Sequence, residues 1–376
     1  MENKIRNINF LFILMLLISF KLYPQKLYSD SNNKHSSSLR LLRRGVFRII
    51  EKKVFVDTTY IKSFNQSYVL SIPIESKFLN FGIIDNFSKA TISFIPNSNL
   101  GIGLGFDSRW FRIHAKTGLA LLNKDDHIYG KTKYYDYSIF IMGNRTVTHF
   151  NVQDYTGFYT SSIKSDKDNV KIDSSNKIRK DLTAFNFNYN TTYYFNSKKN
   201  SFKNTIGFSE KQIKSSGSAV ANAYYSALFI DSDTCILPNE IRNQFGEYAN
   251  VKKVSSHKFG LSLGYKYTFV IKKNWYVGIL LMEGGGSSKF SYTLANSIHN
   301  KFGLKFSNAT NGSLILGFDN ERFRSSIFAN FEDYNSSHFS PVSVSFSHYT
   351  FGIALRYRVN IVKHERKFLK RLNLID

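Results

Sequence analysis

From about residue 61 onward the chain alternates between apolar and polar positions. Tyr68, Leu70, Ile72 and Ile74 interleave with Ser67, Ser71, Pro73 and Glu75. Tyr135, Tyr137, Ile139 and Ile141 interleave with Asp136 and Ser138, and Phe185, Phe187, Tyr189, Tyr193 and Phe195 with Asn186, Asn188, Asn190 and Thr192. Phe259 to Ile271 alternates throughout around Gly260, Ser262, Gly264, Lys266 and Thr268, and Phe351 to Val359 does so around Gly352, Ala354, Arg356 and Arg358. A period of two places successive side chains on opposite faces of an extended strand, so each segment predicts a strand with one apolar face and one polar face. Between Asn99 and Leu122 the parity changes. Leu100, Ile102, Leu104 and Phe106 alternate with glycines, then Phe111, Ile113, Ala115, Leu119 and Leu121 carry the apolar face, with Arg112, His114 and Lys116 between them.

Short polar clusters at Asp107-Ser108-Arg109, Asn196 to Ser201, Lys272-Lys273-Asn274 and Asp319-Asn320-Glu321 predict hairpin turns between antiparallel neighbours. Two longer polar inserts, Ser161 to Lys180 and Ile236 to Val254, predict large loops. The segments amount to about 12 strands, between about 10 and 14.

A soluble sandwich and a membrane barrel both alternate, and strand length separates them. Sandwich strands commonly run about 5–6 residues, whereas a bilayer needs about 9–11. Phe259–Ile271 is 13 residues long and Leu182–Phe195 is 14. Aromatic clusters at Trp110-Phe111, Tyr134-Tyr135, Phe158-Tyr159, Tyr193-Tyr194-Phe195 and Trp275-Tyr276 lie near strand ends, where a barrel carries its interfacial girdles. The expected fold is all-β: an antiparallel up-and-down transmembrane β-barrel. A secreted soluble β-sandwich that binds acidic polymers is the alternative architecture.

The first residues bear on location. Lys4 and Arg6 precede an uncharged apolar run, Phe10 to Phe20, too short to span a bilayer at about 20 residues. They predict a secretory signal peptide over residues 1–25, ending near Pro24-Gln25. Residues 26–60 combine a polar linker, Lys26–Ser38, with the basic segment Leu39–Val56, which fits a membrane-surface helix or an ordinary packed element equally. The barrel is expected over 61–360, followed by a basic tail, 361–376. A lone cysteine, Cys235, rules out an internal disulfide and a cysteine metal cluster.

With 51 Lys and Arg against 27 Asp and Glu, the formal net charge is +24. For an exported chain this points away from nucleic acid, toward outer-membrane lipid, lipopolysaccharide, acidic glycans or small anionic solutes, or to solvated loops alone.

"ATISFIPNSNLGIGLGF" (Ala90–Phe106), "YGKTKYYDYSIFI" (Tyr129–Ile141), "TGFY" (Thr156–Tyr159), "FSEKQIKSSGS" (Phe208–Ser218) and "YKYTFVIKKNWYVG" (Tyr265–Gly278), in this order and spacing, resemble the Bacteroidetes domain-of-unknown-function family 4421. The resemblance covers most of the chain after about Asp57. It implies an exported, outer-membrane barrel protein of a Gram-negative bacterium, and no activity or functional residues. The residues after Asn360 depart from the aromatic chain end common among outer-membrane strands.

Candidate chemistry is sparse. Asp125-Asp126-His127 fits a solvated turn. No Gly-x-Ser-x-Gly elbow is present, and Gly284-Gly285-Gly286 lacks the following Lys-Ser/Thr of a phosphate loop. No catalytic residue, cofactor or metal is expected, although an enzyme embedded in the barrel and acting on lipid or lipopolysaccharide is a second functional class. The polar faces supply the candidates. Arg112, His114, Lys116, Lys266, Arg356 and Arg358, with Glu75 and Asp136, are expected to line the lumen. Unpaired cations there would favour anions, as charged rings do in pores. Paired with the carboxylates, they would plug a narrow barrel of this strand number.

Overall fold

The computed structural model describes residues 56–360 apart from 65–66, 98–99, 109, 120–124, 165–176, 207, 296–302 and 337–341. The expected signal peptide and C-terminal tail, and most of the expected linker and basic segment, lie outside the described residues.

Fifteen strands occur in chain order: β1 (Ile61–Ser63), β2 (Ser67–Asp85), β3 (Thr91–Ile95), β4 (Gly101–Asp107), β5 (Phe111–Gly118), β6 (Lys133–Met142), β7 (Thr146–Lys164), β8 (Ile178–Tyr194), β9 (Glu210–Gln212), β10 (Ser216–Asp231), β11 (Val251–Lys272), β12 (Trp275–Leu294), β13 (Gly303–Asp319), β14 (Phe323–Ser336) and β15 (Val342–Asn360). Among the described residues two short α-helices, α1 (Asp126–Tyr129) and α2 (Asn239–Arg242), and a 3-10 helix, Asn243–Tyr248, lie in connections. Thirteen of the strands form one antiparallel sheet, which closes because β15 pairs along the whole of β2, from Val342↔Asp85 to Asn360↔Ser67. Closure satisfies every strand edge, as a bilayer requires, and excludes the sandwich.

The ring is not uniform. β3 and β4 both pair with β2, β3 at Phe81–Ile84 and β4 at Val69–Glu75, so together they make one interrupted strand. Beyond β3 lies β7 directly, whereas between β4 and β7 the hairpin β5–β6 is inserted. The circuit therefore holds ten strands at one end and twelve at the other. Barrel diameter grows with strand number, so the twelve-strand end is wider.

The fork is fastened by polar contacts. Asn97, between β3 and β4, donates from its Nδ2 to the Gly130 carbonyl at 2.8 Å and to Asp126 at 3.0 Å, and Thr132 donates to the Gly157 carbonyl at 2.7 Å. Gly157 sits at φ 91° beside the Lys131 carbonyl, at a bulge in the β7–β8 ladder. A side chain there would meet both a disfavoured backbone and an occupied space. Asp125 and Asp126 serve this fastening; the Asp126–Tyr129 stretch is a helical turn.

Short connections at 108–110, 143–145, 273–274 and 320–322 gather at the twelve-strand end together with the first and last strand residues, Ser67 and Asn360. The outward positions of this half are apolar. Leu104, Leu261 and Leu263 are each 68–70% exposed, in a belt with Leu70, Ile72, Ile113, Leu281, Leu314 and Ile353. Water does not tolerate so extended an apolar surface, and lipid must cover it. Outward aromatics edge the belt near the short turns, with Tyr68 stacked on Phe106 at 5.4 Å and Trp275 against Phe318 at 5.2 Å. The members of the predicted clusters are split between the two faces, with Tyr193 and Phe195 outward on either side of Tyr194. Tyr134, Phe158, Tyr194 and Tyr276 are buried inside, because neighbours in a strand face opposite ways.

Toward the ten-strand end the pattern inverts. Asp231 and Lys253 pair across the outer face at 2.7 Å, and Ser255 bonds Ser291 at 2.6 Å. The interior at this level is apolar: Leu79, Phe81, Ile83, Phe94, Leu182, Leu228 and Phe346 form one cluster. This part of the wall stands in water and buries a core as a soluble protein does. The insert after β10, expected as a polar loop, completes that core. Ile236, Leu237, Ile241 and Phe245 are fully buried in the cluster, and Arg179 donates to the carbonyls of Cys235 and Ile236 to hold the segment in place. Ile241→Ala is expected to lower stability by about 2–3 kcal/mol, measured as the urea midpoint in micelles, by transfer and cavity costs. A loop merely lying over the mouth would show no such change.

Candidate functional site: a cationic chamber between two plugs

The wide end is filled differently. The connection from β8 to β10, expected to turn at Asn196–Ser201, instead continues to Ser215 and folds into the bore. Its strand β9 pairs with β1, Ile61↔Gln212 through Ser63↔Glu210, so Ile61–Ser63 belongs to this plug and not to the ring. From β1, Lys62 reaches Glu321 in the β13–β14 turn at 2.7 Å, and that hydrogen bond holds the Glu321 carboxyl below its ordinary pKa.

Wall cations grip the plug by its backbone oxygens. Arg112 donates to the Ile206 carbonyl and Arg324 to the Asn204 carbonyl. Arg358 donates to the Phe208 carbonyl at 3.2 Å, Lys211 reaches back to the Asp319 carbonyl at 2.7 Å, and Lys266 donates to the Ser201 carbonyl at 2.9 Å. Carbonyls of an irregular segment buried in a lumen need such donors. Asp319 neutralises part of the charge, taking Arg358 at 2.7 Å and Arg324 at 3.2 Å, all three side chains nearly inaccessible. Phe208 stands at the centre, its ring 3.7 Å from the Arg356 guanidinium carbon, 4.4 Å from that of Arg324 and 5.2 Å from that of Arg112. Its φ of 53° is a conformation an aromatic residue seldom adopts.

Between this plug and the apolar core lies a chamber of about 280 Å³. Lys77, Arg112, Lys116, Lys266 and Arg356 bring cations to it, and Glu75, Asp136 and Glu332 bring carboxylates, an excess of positive charge. Glu75 binds Lys116 at 2.9 Å and Lys77 at 3.1 Å; Lys77 also meets Asp136. Asp136 accepts from Asn151 at 2.8 Å and Gln153 at 3.0 Å, and Gln153 accepts from Asn186 at 2.9 Å. These charges are therefore matched. Arg112 is matched too, 3.1 Å from Asp107. Among the described residues Lys266 donates only to neutral acceptors, Asn200, Ser201 and Thr268, and Arg356 donates to Ser326 at 2.6 Å while its Nε has no partner.

All eight residues expected in the lumen point inward. Seven line the chamber: Glu75, Arg112, His114, Lys116, Asp136, Lys266 and Arg356. Arg358 lies in its floor, locked to Asp319. Sequence reasoning passed over Lys77, Asp107, Asp319, Arg324, His149, His348 and Glu332. Asp319 opens a predicted turn and Arg324 lies just beyond it, and these opposite charges beside one turn were a legible signal. Phe208 had none, since nothing local marks a loop aromatic as a lumen group. The chamber's other wall carries an apolar patch, Leu280 and Met282 on β12, Ile315 on β13 and Phe328 on β14, with Ile315 directly opposite Phe328 and the polar Ser313 and Asn330 beside them.

A closed transmembrane β-barrel with an apolar cap, a polar chamber and a folded-in plug is the class these features define. Residues 55–358 match the family model described as domain of unknown function (DUF4421), and the chain belongs to that family. No curated protein matches the sequence. Among solved structures, the chain is similar to the outer membrane protease OmpT from Escherichia coli (8% identity, covering 79% of this chain and 98% of that one, TM-score 0.38). It is similar also to the β-domain of the Bordetella autotransporter BrkA (8%, 78% and 100%, TM-score 0.38) and to an outer membrane channel from Pseudomonas putida F1 (8%, 80% and 98%, TM-score 0.31).

Proposed function

We propose that the protein is an outer-membrane barrel of a Gram-negative bacterium, closed at rest, with a surface or structural role and no catalytic one. The observation that carries this reading is the double filling of the bore, by the apolar insert at one end and the segment 196–215 at the other. Short turns face the periplasm in such barrels, and on this reading the apolar cap lies on the outer side. Lipid and lipopolysaccharide are then its surroundings. The excess cations of the chamber favour a second reading, a narrow anion-preferring channel that conducts only when both fillings yield.

Heat-modifiability of the detergent-extracted protein, followed by planar-bilayer recording of the same sample, tests both. Faster migration of the unheated band with a silent bilayer is the result expected. Discrete anion-preferring steps at rest would overturn the closed state, and release of the protein by carbonate would overturn membrane insertion.

A further inference from the structure

We propose that the chamber binds a small amphipathic organic anion, its oxyanion headgroup held by Arg356 beside Arg112 and its apolar body laid against Phe328 and Ile315. This deepens the closed-barrel reading and rests on it only for the chamber's being enclosed.

Arg356 is 5% exposed, yet it faces no carboxylate within ion-pairing distance among the described residues, and its Nε is unpartnered. A buried cation costs several kcal/mol unless something compensates it. Ser326 and one face of Phe208 supply neutral compensation, and Asp107, the carboxylate that acts on Arg356 from beyond ion-pairing distance, is already engaged by Arg112. The guanidinium instead borders an empty volume, and an anion entering that volume would complete its fork with two charge-assisted hydrogen bonds.

The volume also has a shape. Ser326 and Phe328 are consecutive inward positions on β14, so the aromatic ring lies one step along the wall from the Arg356 headgroup site. Ile315 is the cross-strand neighbour of Phe328 and faces Gly278 on its other side, where the plug's Thr205 methyl closes in on the glycine. At about 280 Å³ the chamber is at the small end of ligand pockets, which run about 300–1,000 Å³. A bare phosphate would leave the apolar wall uncovered, and a neutral ring would leave Arg356 unpaired. A ring or short chain bearing one carboxylate or phosphate satisfies both.

Calorimetric titration of the full barrel in micelles with benzoate and with phenyl phosphate tests the proposal, against inorganic phosphate and benzyl alcohol. One aromatic anion per barrel is expected to bind at least tenfold tighter than either control, and the stronger of the two identifies the headgroup. Arg356→Gln is expected to weaken it at least tenfold while leaving or raising the temperature of the heat-modifiable transition, because it removes an uncompensated charge. A purely structural arginine would lower that temperature. Gly278→Leu, which fills the chamber without touching Arg356, is expected to abolish binding and remains informative should the arginine variant fail to insert. Equal binding of inorganic phosphate or of benzyl alcohol, or binding that survives both variants, would overturn the site. A conducting wild-type barrel would overturn the closed state and leave this titration to stand or fall separately; a silent barrel with no heat of binding would overturn the site alone.

Discussion

Asp319→Asn is expected to reduce the unfolding free energy by about 3–5 kcal/mol, because it leaves two buried cations without their shared counter-charge. Asp319 is 1% exposed and meets Arg358 with both oxygens at 2.7 Å and Arg324 at 3.2 Å. The substitution keeps the shape and one acceptor, so the loss reports charge and not packing. Urea titration of the heat-modifiable band supplies the measurement. Arg324→Met in the same chain is expected to restore part of the loss by removing one orphaned charge, a coupling that a double-mutant cycle reads directly. A single-variant change below about 1 kcal/mol, the value of an exposed pair, would show that water reaches this floor.

The charge matching around Asp319 shows where the sequence was legible. Ring strands declare themselves by their outward faces: Leu70, Ile72, Leu261, Leu263, Ile353 and Leu355 are exposed to lipid, and the inward partners Glu75, Lys266 and Arg356 could be read from parity alone. What parity concealed is that a long strand crosses two solvents. Along β2 the apolar set is Leu70, Ile72 and Ile74 on the outward side, then Leu79, Phe81 and Ile83 on the inward side. No turn marks the change, because the chain has only left the bilayer and entered water, where the apolar face must point inward. The interrupted strand was half legible. Pro96 and Asn97 suggest a break, and Pro73 has no N–H to give, consistent with the gap in the β2–β4 ladder at residues 72 and 73. The plug was illegible for another reason. Asn196–Ser201 is good turn chemistry, but the donors that draw the following residues into the bore come from β5, β11, β14 and β15, distant in sequence.

Replacing Asn196–Ser218 by Asn-Gly is expected to open the chamber to the short-turn side while the bilayer stays silent. Phe195 already accepts its place opposite Ala219, donating to that carbonyl at 3.1 Å, so a two-residue turn continues the β8–β10 register. With Cys235→Ser as background, a thiol introduced by Ser313→Cys in the chamber wall should react with a charged maleimide at least about 100-fold faster, equivalent to about 2.8 kcal/mol of opening free energy no longer required. Conductance should not follow, because the cap of Leu79, Phe81, Leu237, Ile241 and Phe245 closes the narrower ten-strand end independently. Unchanged labelling would mean that the segment 196–215 does not separate the chamber from the short-turn side. Sustained current from the shortened barrel would mean that the apolar cap yields to ions, and the channel reading would then displace the closed one.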